Sequence, residues 1–256
     1  MVLKAWQALL LGLVQGFTEF LPVSSSGHLV IAQSLLGVKA EMMSFDIFVH
    51  VGTLAAVFVY FWSDIKALLK KPFCRFTALL LVGCIPAGLM GVLLDDFFER
   101  LFSTLPAVAC ALIVTGVLLL ISDRFTGKGK IKDMSFGQAL IIGGFQGLAI
   151  TPGLSRSGST IFGALLCGLE RSEAARFSFL LSIPVILGAA LLEGVKVVKT
   201  GAPVSFSYLL GAIVAAVSGY IAIRIFIKLL HHRNMRYFSY YVWALAAVVL
   251  ICSLFR

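Results

Sequence analysis

Charge is what this chain has least of: Asp, Glu, Lys and Arg make up 13% of its 256 residues, against about 25% in an ordinary soluble domain. So few polar groups cannot cover a water-facing surface, and 60% hydrophobic content with a mean hydropathy of +1.02 excludes a soluble globule. The five cysteines, Cys74, Cys84, Cys110, Cys167 and Cys252, include no Cys-x-x-Cys pair and no Cys/His pair at metal-ligand spacing. Each lies in or beside an apolar stretch, where cysteine behaves as a small hydrophobe. A Walker-type lysine motif is also missing, so a nucleotide cradle is not expected. The apolar run Ala8 to Val14 imitates a signal peptide, but Gln15 and Glu19 interrupt it and no small-x-small cleavage site follows. The N-terminus is therefore expected to be mature.

What the chain does have is apolar sequence in long runs, and the bilayer is its natural solvent. A net charge of +9 would suggest nucleic acid in a soluble protein. Here the basic residues stand between apolar segments and read as topology signals, so no nucleic-acid partner is expected. Six stretches are long enough to cross the hydrocarbon: Ser44 to Trp62, Phe76 to Leu94, Leu105 to Ser122, Ala174 to Leu192, Ser207 to Leu230 and Tyr237 to Phe255. Two further apolar regions, residues 5–37 and 136–168, are broken in the middle by Pro, Gly and Ser. Their halves are too short to span, so each reads as a re-entrant helix–loop–helix. The expectation is an all-α integral membrane protein, with six transmembrane helices plus two re-entrant hairpins.

Basic loops orient the spans. Lys66, Lys70, Lys71 and Arg75 make one cytoplasmic loop, and Arg124, Lys128, Lys130 and Lys132 make another, while Asp95, Asp96 and Glu99 mark an outer one. Arg171, Arg176, Arg233 and Arg236 fall inside in the same count; Lys196 and Lys199 oppose it. Both termini are then outside, the first hairpin dips from outside, and the second dips from the cytoplasm. With an offset of 131 residues, Gly12 to Gly37 aligns with Gly143 to Gly168 at eight of 26 positions, including Gln15/Gln146, Ser24/Ser155 and Ser26/Ser157. Three spans separate the hairpins, an odd number, which inverts the second. The single membrane domain is thus expected to be an inverted-topology repeat, residues 1–122 and 136–256, with broken helices meeting near the midplane.

Irregular backbone at membrane depth is tolerated only where protein buries it or water reaches it, so function is expected at the hairpin tips. In the first, Gln15 and Glu19 share a helical face at i, i+4. Pro22 ends that helix, and Ser24, Ser25, Ser26, Gly27 and His28 open the next. Free N–H groups at a helix start, with serine hydroxyls, make an anion cradle, although the serines could simply cap the helix. In the second, Arg156 stands among Ser155, Ser157, Gly158 and Thr160. Its planar fork of donors suits phosphate, and without a ligand it could pair with Glu19. Asp46 and His50 could join the pocket or lie at the outer interface; metal binding by His231 and His232 is a weak signal. The convergent set fits phosphoryl transfer: Arg156 on phosphate oxygens, Glu19 on a divalent cation with Gln15 beside it, His28 as general acid or base. The residues alone leave Ser25, His28 and water open as nucleophile.

These motifs resemble the signature of the undecaprenyl-diphosphate phosphatase, or bacitracin-resistance, family. Its (Glu/Gln)-x-x-x-Glu element is matched by Gln15 and Glu19, its Pro-Val-Ser-Ser-x-Gly-His run by Pro22 to His28, and its Pro-Gly-x-Ser-Arg-Ser-x-x-Thr element by Pro152 to Thr160. The resemblance implies a bacterial plasma-membrane hydrolase opening to the outer face, with Ser25 as favoured nucleophile and Mg²⁺ or Ca²⁺ as cofactor. It would remove the terminal phosphate of undecaprenyl diphosphate, recycle the carrier for peptidoglycan synthesis and lower bacitracin sensitivity through the shared substrate. Membrane lipid is the expected surrounding, and a homodimer is compatible with it. Gln15 is the uncharged choice at its position, which leaves a two-carboxylate cation site unsupported. The competing reading is a secondary transporter or lipid flippase on the same inverted-repeat scaffold.

Overall fold

The computed structural model describes residues 3–38, 43–94, 104–200, 205–230 and 235–254. Among them are eleven α-helices and no strand: α1 Ala5–Phe20, α2 Ser25–Leu35, α3 Met43–Tyr60, α4 Trp62–Lys70, α5 Arg75–Leu93, α6 Leu105–Ser122, α7 Phe136–Leu148, α8 Arg156–Leu166, α9 Arg171–Thr200, α10 Phe206–Leu230 and α11 Met235–Leu254. Helices α5, α6, α9, α10 and α11 are long and apolar enough to cross a membrane, and α3 with α4 makes a sixth candidate. That candidate differs from the expected span Ser44 to Trp62, because the chain turns by 80° between α3 and α4. Helix α9 runs past the expected limits at both ends; its 30 residues reach about 45 Å at 1.5 Å each. The expected acidic loop at Asp95, Asp96 and Glu99, and the group His231, His232 and Arg233, lie outside the described residues.

Besides α4, with nine residues, four helices are too short to cross alone: α1, α2, α7 and α8 have 16, 11, 13 and 11 residues. Sequence explains where α1 stops and where the other three start. Leu21 precedes Pro22 and takes the extended backbone that a following proline favours. Ser24 and Ser155 then cap α2 and α8, accepting hydrogen bonds from Gly27 N and Gly158 N at 3.3 and 3.1 Å. Ser135 and Gln138 form a reciprocal capping box that starts α7.

Each broken pair packs on a helix from the far half of the chain. Helix α1 lies on α10, and α7 lies on α5. The contacts use glycine: a Cβ at Gly12 would stand 2.4 Å from Gly211 O, and one at Gly143 would stand 2.1 Å from Gly83 O. Any larger residue would force the backbones apart, so close helix approach depends on these positions. Helix α3 packs on α9 and α10, α5 on α9, and α6 on α11. Below the hairpin tips an aromatic cluster fixes the floor, with Phe179 in contact with Phe20, Phe61 and Phe226 at ring-centroid distances of 5.5, 6.0 and 5.9 Å. Large side chains such as Leu81, Ile85, Leu89, Ile213, Val217 and Ile221 point outward, a surface that suits lipid and not water.

One end of the bundle gathers the basic residues. Arg75 donates to Lys132 O and Met134 O, Arg176 pairs with Asp64 and Glu173, and Arg171 pairs with Asp123. These bonds bring the α4–α5 turn, the 123–135 connection and the start of α9 together at that end.

Candidate active site

Gln15 and Glu19 do share a face, and Gln15 Nε2 donates to Glu19 Oε2 at 2.9 Å. Across the break, Ser24 adopts φ 69°, a left-handed conformation that costs a non-glycine residue energy. That turn starts α2 so that Ser25 Oγ donates to Glu19 Oε2 at 2.6 Å. From the other hairpin, Arg156, the first residue of α8, donates Nη2 to Glu19 Oε1. Its Nη1 is buried without a partner. Helix α3 adds His50, whose Nδ1 donates to Asp46 O at 2.7 Å, leaving Nε2 3.8 Å from Glu19 Oε2.

These groups line a cavity of about 280 Å³. Glu19, Ser24, Ser25, Ser26, His50, Gln146, Arg156 and Glu193 form its polar part, and Val185, Ile186, Ala189 and Ala190 of α9 give it an apolar wall. A hydroxyl bonded to a carboxylate is arranged for attack with proton removal, and the spare guanidinium donor beside it is placed for an anion. An apolar wall next to that polar end suits an amphiphile.

The other expected site residues fall elsewhere. His28 turns away from the cavity: Nδ1 donates to Ser24 O, and Nε2 accepts from the Tyr241 hydroxyl on α11, both at 2.8 Å. Gly27 packs beside the Gly153 backbone. Ser155 N donates to Thr115 Oγ1 at 3.0 Å, Ser157 Oγ donates to Leu21 O at 3.2 Å, and Thr160 Oγ1 donates to Arg156 O at 2.8 Å. Ser155, Ser157, Gly158 and Thr160 are all buried and hold the second tip in shape. Asp46 accepts from Gln33 Nε2 at 3.1 Å, one position before Ile47, which lines the cavity. Thr115 and Gln146 were not singled out from sequence as site residues. Thr115 also donates to Gly153 O at 2.8 Å, where φ is 89° and a Cβ would meet Val108 O at 2.3 Å.

Among the described residues, no three of His, Cys, Asp and Glu come together to hold a metal ion. Glu19 is the carboxylate at the hydroxyl and guanidinium, and Gln15 turns its amide nitrogen toward it. This donor set fits a cation such as Mg²⁺ that takes most of its shell from water and substrate phosphates and only one or two carboxylates from protein.

Fold and site together define a multi-pass α-helical membrane protein with a buried centre of carboxylate, hydroxyl and guanidinium where two interrupted helix pairs meet. The chain belongs to the family described as bacitracin resistance protein BacA, whose profile matches residues 8–248. It is 44% identical to an undecaprenyl-diphosphatase of Halothermothrix orenii over 98% of this chain and 99% of that one. A protein of the same name from Carboxydothermus hydrogenoformans is 44% identical over 97% of both chains, and one from Methanosphaera stadtmanae is 41% identical over 98% and 99%.

Proposed function

We propose that this chain hydrolyses undecaprenyl diphosphate to undecaprenyl phosphate and inorganic phosphate. The observation that carries this reading is Arg156, which pairs with Glu19 through Nη2 and keeps a buried, unpartnered Nη1 on the cavity that holds Ser25. Ser25 Oγ attacks the terminal phosphorus, Glu19 takes its proton, and the bond to the bridging oxygen breaks as undecaprenyl phosphate leaves. Water then cleaves the phosphoserine and releases phosphate. Arg156 meets the charge that builds on the phosphoryl oxygens. Glu19 would also hold Mg²⁺ or Ca²⁺, which supplies charge neutralisation for the diphosphate. His28, tied to Tyr241, supports the α2 start from behind. No observation favours the transporter or flippase reading.

Six spans and two re-entrant hairpins in an inverted repeat, residues 1–122 and 136–256, complete the proposal. The reciprocal packing supports it: α1 on α10 and α7 on α5, through Gly12–Gly211 and Gly143–Gly83. The basic end reads as cytoplasmic. The α9 residues lining the cavity run from Val185 to Glu193, along the half of the helix that leads away from that end. This supports a site opening to the outer face of a bacterial plasma membrane. There it would recycle the lipid carrier for peptidoglycan synthesis and lower bacitracin sensitivity. Phosphate release from undecaprenyl diphosphate by purified protein in detergent tests the proposal. Release by the parent and loss in Ser25→Ala are expected; a folded parent that releases none would overturn it.

A further inference from the structure

Gln146 has an amide buried to 1% exposure in the cavity wall, and neither Oε1 nor Nε2 has a partner. Its counterpart in the repeat, Gln15, spends its Nε2 on Glu19 one turn later. One turn after Gln146 the chain places Ile150, so α7 offers no carboxylate to receive that donor. The other unpartnered donor on this cavity is Arg156 Nη1. A buried amide left unpaired is unfavourable, and two unpaired donors on one polar cavity are matched by a ligand rich in acceptors. A phosphate is such a ligand, carrying oxygen acceptors and negative charge.

We infer that Gln146 is a phosphate ligand: its Nε2 donates to an oxygen of the diphosphate while Arg156 Nη1 takes another. This rests on the diphosphate reading of the site and adds a residue to it from α7. The inversion of the two hairpins gives the paired glutamines different work, with Gln15 holding the carboxylate and Gln146 holding the substrate.

The test uses the full-length protein in detergent with Gln146→Leu and Gln146→Glu, measuring kcat, KM and melting temperature. Gln146→Leu removes the unpaired amide at similar volume. It is expected to melt at or above the parent while kcat/KM for a prenyl diphosphate falls about 10–100-fold, mainly through KM, as for a lost bond to a charged acceptor. Gln146→Glu is expected to fall further, because its carboxylate repels phosphate. Gln146→Leu within twofold of the parent would overturn the inference, as would a melting temperature that drops in step with activity. Gln146→Glu at or above parent activity would also overturn it, by assigning the position to a cation. A parent without phosphatase activity would sink the functional reading instead. Inorganic pyrophosphate then tests the ligand role separately, since it should raise the melting temperature of the parent and not of Gln146→Leu; an equal shift in both would overturn the role.

Discussion

Arg156 and Glu19 lie 137 positions apart in the sequence and form an ion pair where the two hairpin tips meet. Only Nη2 is used, so the guanidinium can hold Glu19 and still offer Nη1 to a ligand. A lysine has one compact ammonium and cannot face both ways. Arg156→Lys is therefore expected to lose about 10²–10³ in turnover, the usual loss for one preorganised donor, and Arg156→Ala at least as much. The comparison needs variants that insert and melt like the parent, because unpairing Glu19 also removes a fold contact. A well-folded Arg156→Lys keeping more than about half of its turnover would refute the two-sided role.

Cation dependence is expected to run through Glu19. EDTA should abolish phosphate release, and Mg²⁺ or Ca²⁺ should restore it. Glu19→Gln should lose activity with its fold retained, since glutamine still accepts from Ser25 but cannot neutralise a cation or take a proton. Full turnover in EDTA would remove the metal and leave Glu19 as base and partner of Arg156.

Topology can be read from a native thiol. Cys74 stands just before α5 at the basic end, 3.4 Å from Thr77 Oγ1, and that hydrogen bond pushes its pKa below the ordinary thiol value. In a variant keeping only Cys74, an impermeant maleimide should fail on intact spheroplasts and react on inverted vesicles. Labelling from outside would reverse the assigned orientation and put the cavity mouth in the cytoplasm.

The tips were legible in the sequence because Pro22, Ser24 to Ser26 and Pro152 to Ser157 break apolar runs, and Glu19 and Arg156 are too costly in a membrane without a task. The partnership of these two residues was legible as well, since opposite charges at two tips have few other ways to be paired. Side-chain direction was not legible. The run that sets Ser25 on Glu19 also carries His28, and only the position of Tyr241 on α11 shows that His28 faces away. Asp46 and His50 at i, i+4 suit an interface or a cavity equally, and the packing of α3 beside α1 and α9 decides the matter. Ser155 and Thr160 read the same as caps or as ligands, because a hydroxyl at a helix start serves both ends. Thr115 is one of two hydroxyl residues in the apolar α6, the other being Ser122 at its last position, and no spacing marks it.

The reciprocal seating of α1 on α10 has a consequence for biosynthesis. The first hairpin is made at residues 5–35, and its principal packing surface begins only at Phe206. At typical synthesis rates of about 5–20 residues per second, roughly 10–35 s separate the two. Throughout that interval Gly12 and Gly16 have no helix to meet, and the buried Gln15–Glu19 pair lacks α10 over it and lacks Arg156 as well until α8 is made. The second hairpin is favoured differently, because its surface on α5 is already made when α7 emerges. A nascent chain arrested before α10 should thus hold its second hairpin in place and its first one unseated, so that the carboxylate half of the centre is the last to be assembled.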